Sequence, residues 1–133
     1  MTKIGLYGVA GHMGRVLIGE ISASEGCTVS GGCDRPGSPE IGRDIGLLGG
    51  LPALGIAVTD DPGAVCDASD VIVDYSAAAA TMSLLPIAIA HRTPVLVCTT
   101  GFDADQKAAL ADASRSIPIL VGANMSASVI AMY

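Results

Sequence analysis

Short apolar stretches alternate with longer segments of helical spacing along the whole chain. The apolar stretches have the length of buried strands and lie at 3–9, 27–33, 71–74, 94–98 and 117–121, with a weaker one at 56–59. The segments of helical spacing lie between them, at 13–23, from Asp61 onward, at 76–91 and at 103–116. In the first helix we expect one apolar face, made by Met13, Val16, Leu17 and Ile21.

Three of the predicted helices have recognisable starts. Pro62 follows Asp61 and stands at a first-turn position, where its missing N–H does no harm. Ser76 precedes an alanine-rich segment and can cap it. Asp103 and Gln106 have the spacing of a capping box, with Asp in place of Ser or Thr. Residues 35–55 contain many Gly and Pro residues, and predict a long irregular connection.

The alternation of strands and helices predicts the fold class. Short apolar strands separated by helices pair in parallel through right-handed crossovers. The chain of 133 residues therefore predicts one α/β domain, a doubly wound parallel sheet with helices on both faces. Half of the residues are hydrophobic and only 15% are charged, as suits a sheet that is buried on both faces.

Composition narrows the classes of function. The net charge is −6 and aromatic residues make up only 3% of the chain, which argues against general nucleic-acid binding. We expect no membrane span and no secretory leader, because apolar runs are short and the chain enters a strand at once. The spacing of the four cysteines is not that of a metal site, so we expect no bound metal. We expect free thiols in a reducing cytoplasm at Cys27, Cys33, Cys66 and Cys98.

The stretch GVAGHMGR, at 8–15, follows the first strand and opens the first helix. Gly8 permits a sharp turn, Gly11 lets the backbone approach a pyrophosphate, and Gly14 permits close packing of helix on strand. The spacing is GxxGxxG, and Val9 stands where the commoner GxGxxG form has its first glycine. A tight turn that binds nothing is the alternative, but this context favours a Rossmann-like dinucleotide site.

Two residues after the second strand strengthen this interpretation. Asp34 lies 20 residues after Gly14, where an acidic side chain accepts hydrogen bonds from the adenosine ribose. Arg35 is adjacent, and a guanidinium can pair with a 2′-phosphate. Together they permit either NADH or NADPH. The alternative is an ordinary solvated ion pair on the surface.

Two later strand ends carry hydroxyl groups. Tyr75 and Ser76 follow one strand, and Cys98, Thr99 and Thr100 follow the next. Ligands of open α/β sheets bind at the carboxyl ends of strands, so these residues could line the nicotinamide half of a cofactor. Each segment alone is also compatible with plain loop chemistry.

Five motifs in order, GVAGHMGR, CDR, DYS, TTGFD and GANMS, resemble the N-terminal domain of dihydrodipicolinate reductase over nearly the whole chain. The resemblance implies NAD(P)H-dependent reduction in the diaminopimelate route to lysine, by a cytoplasmic homotetramer. It also implies the cofactor contacts by position: Gly8, Val9, Ala10, Gly11, His12, Met13, Asp34, Arg35, Tyr75, Ser76, Cys98, Thr99, Thr100, Gly122, Ala123, Asn124 and Met125.

The sequence departs from the family pattern at four positions. His12 stands where the family often has Arg, Cys98 where it usually has Gly, and Ser128 and Ile130 follow the NMS stretch in place of Gly and Asn. The departure at His12 concerns phosphate binding, and that at Cys98 concerns the space beside the nicotinamide. Those at Ser128 and Ile130 concern the start of the next helix.

The family's proton donor and its substrate-binding basic residues lie in a second domain, whose His-His-x-x-Lys stretch does not occur here. We therefore expect a dinucleotide-binding domain at 1–126 and the start of a substrate domain at 127–133. Such a chain would bind cofactor without catalysing reduction, and the small-molecule substrate would bind through the other domain. The alternatives are another Rossmann dehydrogenase of amino-acid metabolism, or a dinucleotide-sensing module without catalysis.

Overall fold

The computed structural model describes residues 1–122 of this chain. Five strands form one sheet: β1 Thr2–Tyr7, β2 Cys27–Cys33, β3 Val71–Asp74, β4 Val95–Val97 and β5 Ile119–Val121. Five helices connect or precede them: α1 His12–Ala23, α2 Ile45–Leu48, α3 Pro62–Ala68, α4 Ala78–Ala90 and α5 Ala104–Ala113. All strand pairs are parallel and the order is β2-β1-β3-β4-β5, which confirms the predicted parallel sheet.

The sheet is buried under an apolar layer on each face. On one face, Leu17, Ile18 and Ile21 of α1 pack with Ile4 and Leu6 of β1, and α2 joins the same layer. The other layer is formed by α3, α4 and α5 against the opposite side of the strands. The central strands β3 and β4 are buried at every position and are apolar except at Asp74, as expected for strands covered on both faces.

The strand order reverses beside β1. From β1 the chain crosses first to β2 on one side, and later to β3, β4 and β5 on the other. Helices that leave neighbouring strands in opposite directions open a crevice at the carboxyl edge of a sheet, where ligands of such folds bind. The glycine turn after β1 and the ends of β2 and β3 border this crevice.

Two of the three predicted helix starts are confirmed. The Asp61 side chain accepts hydrogen bonds from the first turn of α3, and the Asp103–Gln106 capping box opens α5. The prediction for Ser76 is wrong. The residue before α4 is Ala77, which has no side-chain cap. The Ser76 hydroxyl instead donates to the Asp74 carboxylate at 2.5 Å, because a buried carboxylate is the stronger acceptor.

The connection predicted as irregular contains a short helix. The Asp44 carboxylate accepts N–H bonds from Gly46 and Leu47 at the start of α2, and further bonds from Leu54 and Gly55. One carboxylate thereby closes a loop around a helix of only four residues, which is too short for a periodic signal. Residues 56–59 form no strand of the sheet and make two isolated bridges.

Several boundaries and burials differ from the predictions. Strand β1 ends at Tyr7 because Gly8 turns the chain with a φ of 85°. Met13 and Val16 are exposed, and the buried face of α1 is formed by Gly14, Leu17, Ile18 and Ile21. All four cysteines are free and buried, which confirms the thiols. Among residues 1–122, no helix combines the length and the apolar character needed to span a membrane.

Candidate functional site

A cavity of about 530 Å³ lies at the carboxyl edge of the sheet, where β1, β2 and β3 end. Six residues predicted for the site line it: Gly8, Gly11, Asp34, Arg35, Tyr75 and Ser76. The rest of the lining was not predicted: Tyr7, Cys33, Pro36, Asp60, Pro62, Ala77, Ala80 and Ser83. The fold thus brings the glycine turn, the acidic strand end and the first hydroxyl-bearing strand end around one space.

Backbone hydrogen bonds fasten the glycine turn to the end of β2. The N–H groups of Gly8 and Val9 both donate to the Cys33 carbonyl, at 2.9 and 3.1 Å. Gly8 has a φ of 85°, and a Cβ added there would lie 2.4 Å from the Tyr75 carbonyl oxygen. The turn therefore requires glycine at position 8 for its conformation and for the close approach of the β3 end.

The start of α1 offers donors without protein acceptors. Gly11 is the N-cap and supplies no side-chain cap. Within the described part of the chain, the N–H groups of His12, Met13 and Gly14 have no hydrogen-bond acceptor. A Cβ at Gly14 would lie 2.5 Å from the Val9 carbonyl, so helix and turn are in direct contact. Such a helix start is suited to bind an anion.

The other residues of the turn have structural roles. The Val9 side chain is fully buried in the core. Because the Val9 N–H donates to Cys33, it is not free to bind phosphate. The Ala10 carbonyl accepts a hydrogen bond from the Arg15 guanidinium at 3.0 Å. His12 and Met13 are exposed at the start of α1, at the mouth of the turn.

The end of β2 is acidic. Asp34 is half-buried, and its N–H donates to the Thr59 carbonyl at 3.0 Å. Arg35 is exposed and makes no ion pair within residues 1–122. Burial first, and then the nearby carboxylates of Asp34, Asp60 and Asp61, raise the pKa of the Cys33 thiol to about 12. This thiol stays protonated at neutral pH and is a poor nucleophile.

A buried carboxylate at the end of β3 joins three segments of the site. Asp74 has no exposed surface and accepts hydrogen bonds from the Ser76 N–H, at 3.0 Å, and from the hydroxyls of Ser76 and Thr81. The Ser76 N–H also contacts the Thr99 hydroxyl at 3.0 Å. Burial raises the pKa of Asp74, although these donors act in the opposite direction. We call Asp74, Ser76, Thr81 and Thr99 the carboxylate cluster.

The sequence analysis named Ser76 and Thr99 but passed over Asp74. A signal was present, because Asp74 is the only charged residue in an otherwise apolar strand, directly before the hydroxyl of Ser76. An acidic side chain inside a strand that is buried on both faces needs donors to satisfy it, and therefore marks a polar cluster.

Tyr75 and Cys98 face the core on the α1 side of the sheet. Cys98 is 4% exposed and packs within that layer, and half-buried Tyr75 packs against it. Burial and the contact with Cys98 raise the pKa of the Tyr75 hydroxyl to about 12. Cys98, which stands where the family usually has Gly, thus lies in the core and does not line the cavity.

The remaining predicted residues lie beyond the cavity lining. Thr99 is buried, Thr100 is exposed, and the Gly122 N–H donates to the Val97 carbonyl at 2.8 Å. His91 is the C-cap of α4, pairs with Asp67 on the surface and does not line the cavity. Ala123, Asn124, Met125 and the segment 127–133 lie outside the described residues. Within residues 1–122 no group of His, Cys, Asp and Glu could hold a metal ion.

The family model described as "Dihydrodipicolinate reductase, N-terminus" matches residues 2–125. This chain belongs to the N-terminal family of dihydrodipicolinate reductases. It is 36% identical over 129 residues to the 4-hydroxy-tetrahydrodipicolinate reductase of Citrifermentans bemidjiense, and 38% identical over 130 residues to that of Geobacter metallireducens. Each comparison covers 97% of this chain and 48% of the relative. The chain spans about half the length of these curated reductases.

Solved structures agree on the fold. Dihydrodipicolinate reductase from Paenisporosarcina sp. TG-14, solved with dipicolinate bound, superposes with a TM-score of 0.71 at 16% identity, over 93% of this chain and 48% of that one. An oxidoreductase from Agrobacterium radiobacter in complex with NAD⁺ superposes with a TM-score of 0.69 at 21% identity, over 90% of this chain and 34% of that one. These likenesses establish a Rossmann-like fold for the reductase family member described here.

Proposed function

We propose that this chain binds NADH or NADPH and is the cofactor domain, at 1–126, of a 4-hydroxy-tetrahydrodipicolinate reductase. The reductase would act in the diaminopimelate route of lysine biosynthesis, as a homotetramer in the cytoplasm. One observation carries the proposal: Gly11, the N-cap of the helix whose first N–H groups have no acceptor, and Asp34 at the end of β2 line the same cavity. A pyrophosphate and an adenosine ribose need these two features at this separation along the fold.

The residues present fit a dinucleotide. Gly11 has no side chain to block the approach of a pyrophosphate, and the N–H groups of His12, Met13 and Gly14 point from the positive end of α1. Asp34, half-buried at the end of β2, accepts the hydrogens of ribose hydroxyls. Exposed Arg35 can stack on adenine or pair with a phosphate.

The carboxylate cluster belongs to the nicotinamide half in this proposal. The bound nicotinamide supplies a hydride, and the protein holds it in place and excludes water. Asp74 fixes the Ser76 hydroxyl and, through Ser76, the Thr99 segment, so that β3 and β4 end at a fixed separation. Thr100 follows on the exposed side of this segment.

Reduction also needs a proton donor near the developing charge. The two histidines of the sequence are unsuited to this role, because His12 lies at the mouth of the turn and His91 on the surface beside Asp67. We therefore expect the chain of 133 residues to bind NAD(P)H and to give no turnover with the substrate. The second half of the reductase would supply the donor and the substrate-binding cations.

The proposal is tested by titrating the chain with NADH and with NADPH. The sequence has no Trp, so the emission of the reduced nicotinamide itself is the signal. We expect saturable binding, weakened about 10-fold in Asp34→Ala, since hydrogen bonds to a charged group contribute about 1.5–3 kcal/mol. Asp112→Ala on α5 is the matched control, because Asp112 is exposed and remote from the cavity.

Circular dichroism of each variant establishes that it is folded. No saturable binding of either cofactor to a folded chain would contradict the proposal. Equal binding by Asp34→Ala and Asp112→Ala would remove Asp34 from the site.

A further inference from the structure

Two carboxylates, and not one, border the adenosine end of the cavity. Cys33 and Thr59 form a parallel bridge, in which the Thr59 N–H donates to Gly32 and the Asp34 N–H donates to Thr59, both at 3.0 Å. Asp34 follows Cys33 in the sequence, and Asp60 follows Thr59. The bridge therefore places these two acidic residues side by side, and both line the cavity.

The charge at this end is negative in sum. Arg35 is the single cationic residue of the cavity lining in the described part of the chain, against the carboxylates of Asp34 and Asp60. Asp60 is exposed, and its side chain accepts no hydrogen bond from residues 1–122. Its charge is thus not neutralised by a local partner. The raised pKa of Cys33 reflects the same concentration of carboxylates, since Asp34, Asp60 and Asp61 all contribute to it.

NADH and NADPH differ only at this end of the molecule. The ribose of NADH presents two hydroxyl groups, which donate hydrogen bonds to carboxylates. NADPH presents a 2′-phosphate with a charge near −2 in place of one hydroxyl. The positive charge of Arg35 balances the negative charge of only one of the two carboxylates. The other carboxylate then repels the 2′-phosphate of NADPH.

We infer that Asp60 is a specificity-determining residue, which selects NADH against NADPH by repelling the 2′-phosphate. The inference rests on the proposed function and deepens it, because it names the preferred cofactor of the same site. Asp34 serves both cofactors through a ribose hydroxyl, and Asp60 acts through charge.

The test measures dissociation constants for NADH and NADPH with the chain of 133 residues and with Asp60→Asn. We expect the unmodified chain to bind NADH about 10-fold more tightly than NADPH. Asp60→Asn should tighten NADPH about 5-fold and change NADH less than about 2-fold, with a smaller gain at high salt because exposed charges are screened. Asp112→Asn removes the same charge from α5 and controls for net charge.

The two proposals fail in different ways. Equal affinities of the unmodified chain for both cofactors, or equal effects of Asp60→Asn and Asp112→Asn on NADPH, would overturn the role of Asp60 and leave the dinucleotide site standing. Binding of neither cofactor would remove both. Because the Asp60 side chain has no partner within residues 1–122, Asp60→Asn should retain the unfolding midpoint of the unmodified chain, which a urea titration checks.

Discussion

The glycine turn and the carboxylate cluster border the same crevice, and they are built by opposite means. The turn after β1 depends on the missing side chain of Gly8, and backbone N–H groups fasten it to the Cys33 carbonyl. The cluster after β3 is formed by side chains, with hydroxyls arranged around the buried carboxylate of Asp74. They meet where Gly8 approaches the Tyr75 carbonyl.

This difference separates the two regions in their response to change. The hydrogen bonds that fasten the turn to Cys33 join backbone groups, so they should be independent of pH, and the turn should be intolerant of an atom added at Gly8. The hydrogen bonds of the cluster depend instead on a titratable group in a buried setting. Mutation and pH should therefore act on the two regions separately.

The largest expected effect is that of Gly8→Ala. The left-handed backbone and the 2.4 Å approach to the Tyr75 carbonyl together should lower the free energy of unfolding by about 3 kcal/mol. Gly26→Ala is the matched control, because Gly26 has a φ of 90° and nothing within 4 Å of its Cβ position. That variant should lose only about 1 kcal/mol from backbone strain. Equal losses in urea unfolding would show that the close approach is unimportant.

A smaller effect is expected from Thr81→Val, which keeps the shape of the side chain and removes a donor to Asp74. Thr81 is fully buried, so leaving the buried Asp74 side chain without this partner should lower the free energy of unfolding at pH 7 by about 2 kcal/mol. Ser83→Ala, which removes an exposed hydroxyl from the same helix, should cost less than about 0.5 kcal/mol. If the two variants unfold alike, the Asp74 carboxylate does not depend on this donor.

The smallest expected effect is a pH dependence that comes from Asp74. Burial raises its pKa in the folded state above the ordinary value of the unfolded chain. As pH falls through the raised pKa, the folded state takes up a proton before the unfolded state does, and the chain gains stability. This contribution is complete below the ordinary Asp pKa and is lost as pH rises through the folded value.

Asp74→Asn cannot titrate and should lack this gain. The difference in unfolding free energy, unmodified chain minus Asp74→Asn, should grow in urea titrations as the pH is lowered from 7 towards the ordinary Asp pKa of 3.8. A difference that shrinks over the same range would mean that the hydroxyl donors outweigh burial, with a lowered pKa for Asp74.

Local patterns explain which features of the fold could be predicted. The bounds of β2 and β3 were predicted to the residue; for β3 the reason is that an apolar run between Asp70 and Asp74 needs no distant partner to be recognised. The starts of α3 and α5 were predicted because Pro62 at the first turn and the pair of Asp103 and Gln106 are local signals. The glycine turn was predicted to line the cavity for the same reason.

Features that depend on distant partners were missed or misassigned. Ser76 looked like a helix cap, but Asp74 and the Thr99 hydroxyl, 23 residues later, determine its bonds. Helix α2 was missed because four residues give no periodic signal, and the loop closed by Asp44 was missed because Leu54 and Gly55 lie ten and eleven residues away. Asp60 was missed because only the bridge between Cys33 and Thr59 brings it beside Asp34.

The sequence by itself determined the class of fold, the order of its elements and the place of the glycine turn, because hydrophobic periodicity and short-range capping are written along the chain. Only the tertiary structure added Asp60 to the cavity and gave Asp74 its partners. The bridge between Cys33 and Thr59 brings Asp60 beside Asp34, and the buried Asp74 beneath Ser76 accepts hydrogen bonds from the hydroxyls of Ser76 and Thr81. The net charge of the cavity lining is the sum over residues that are distant in sequence, so it depends on how the sheet folds.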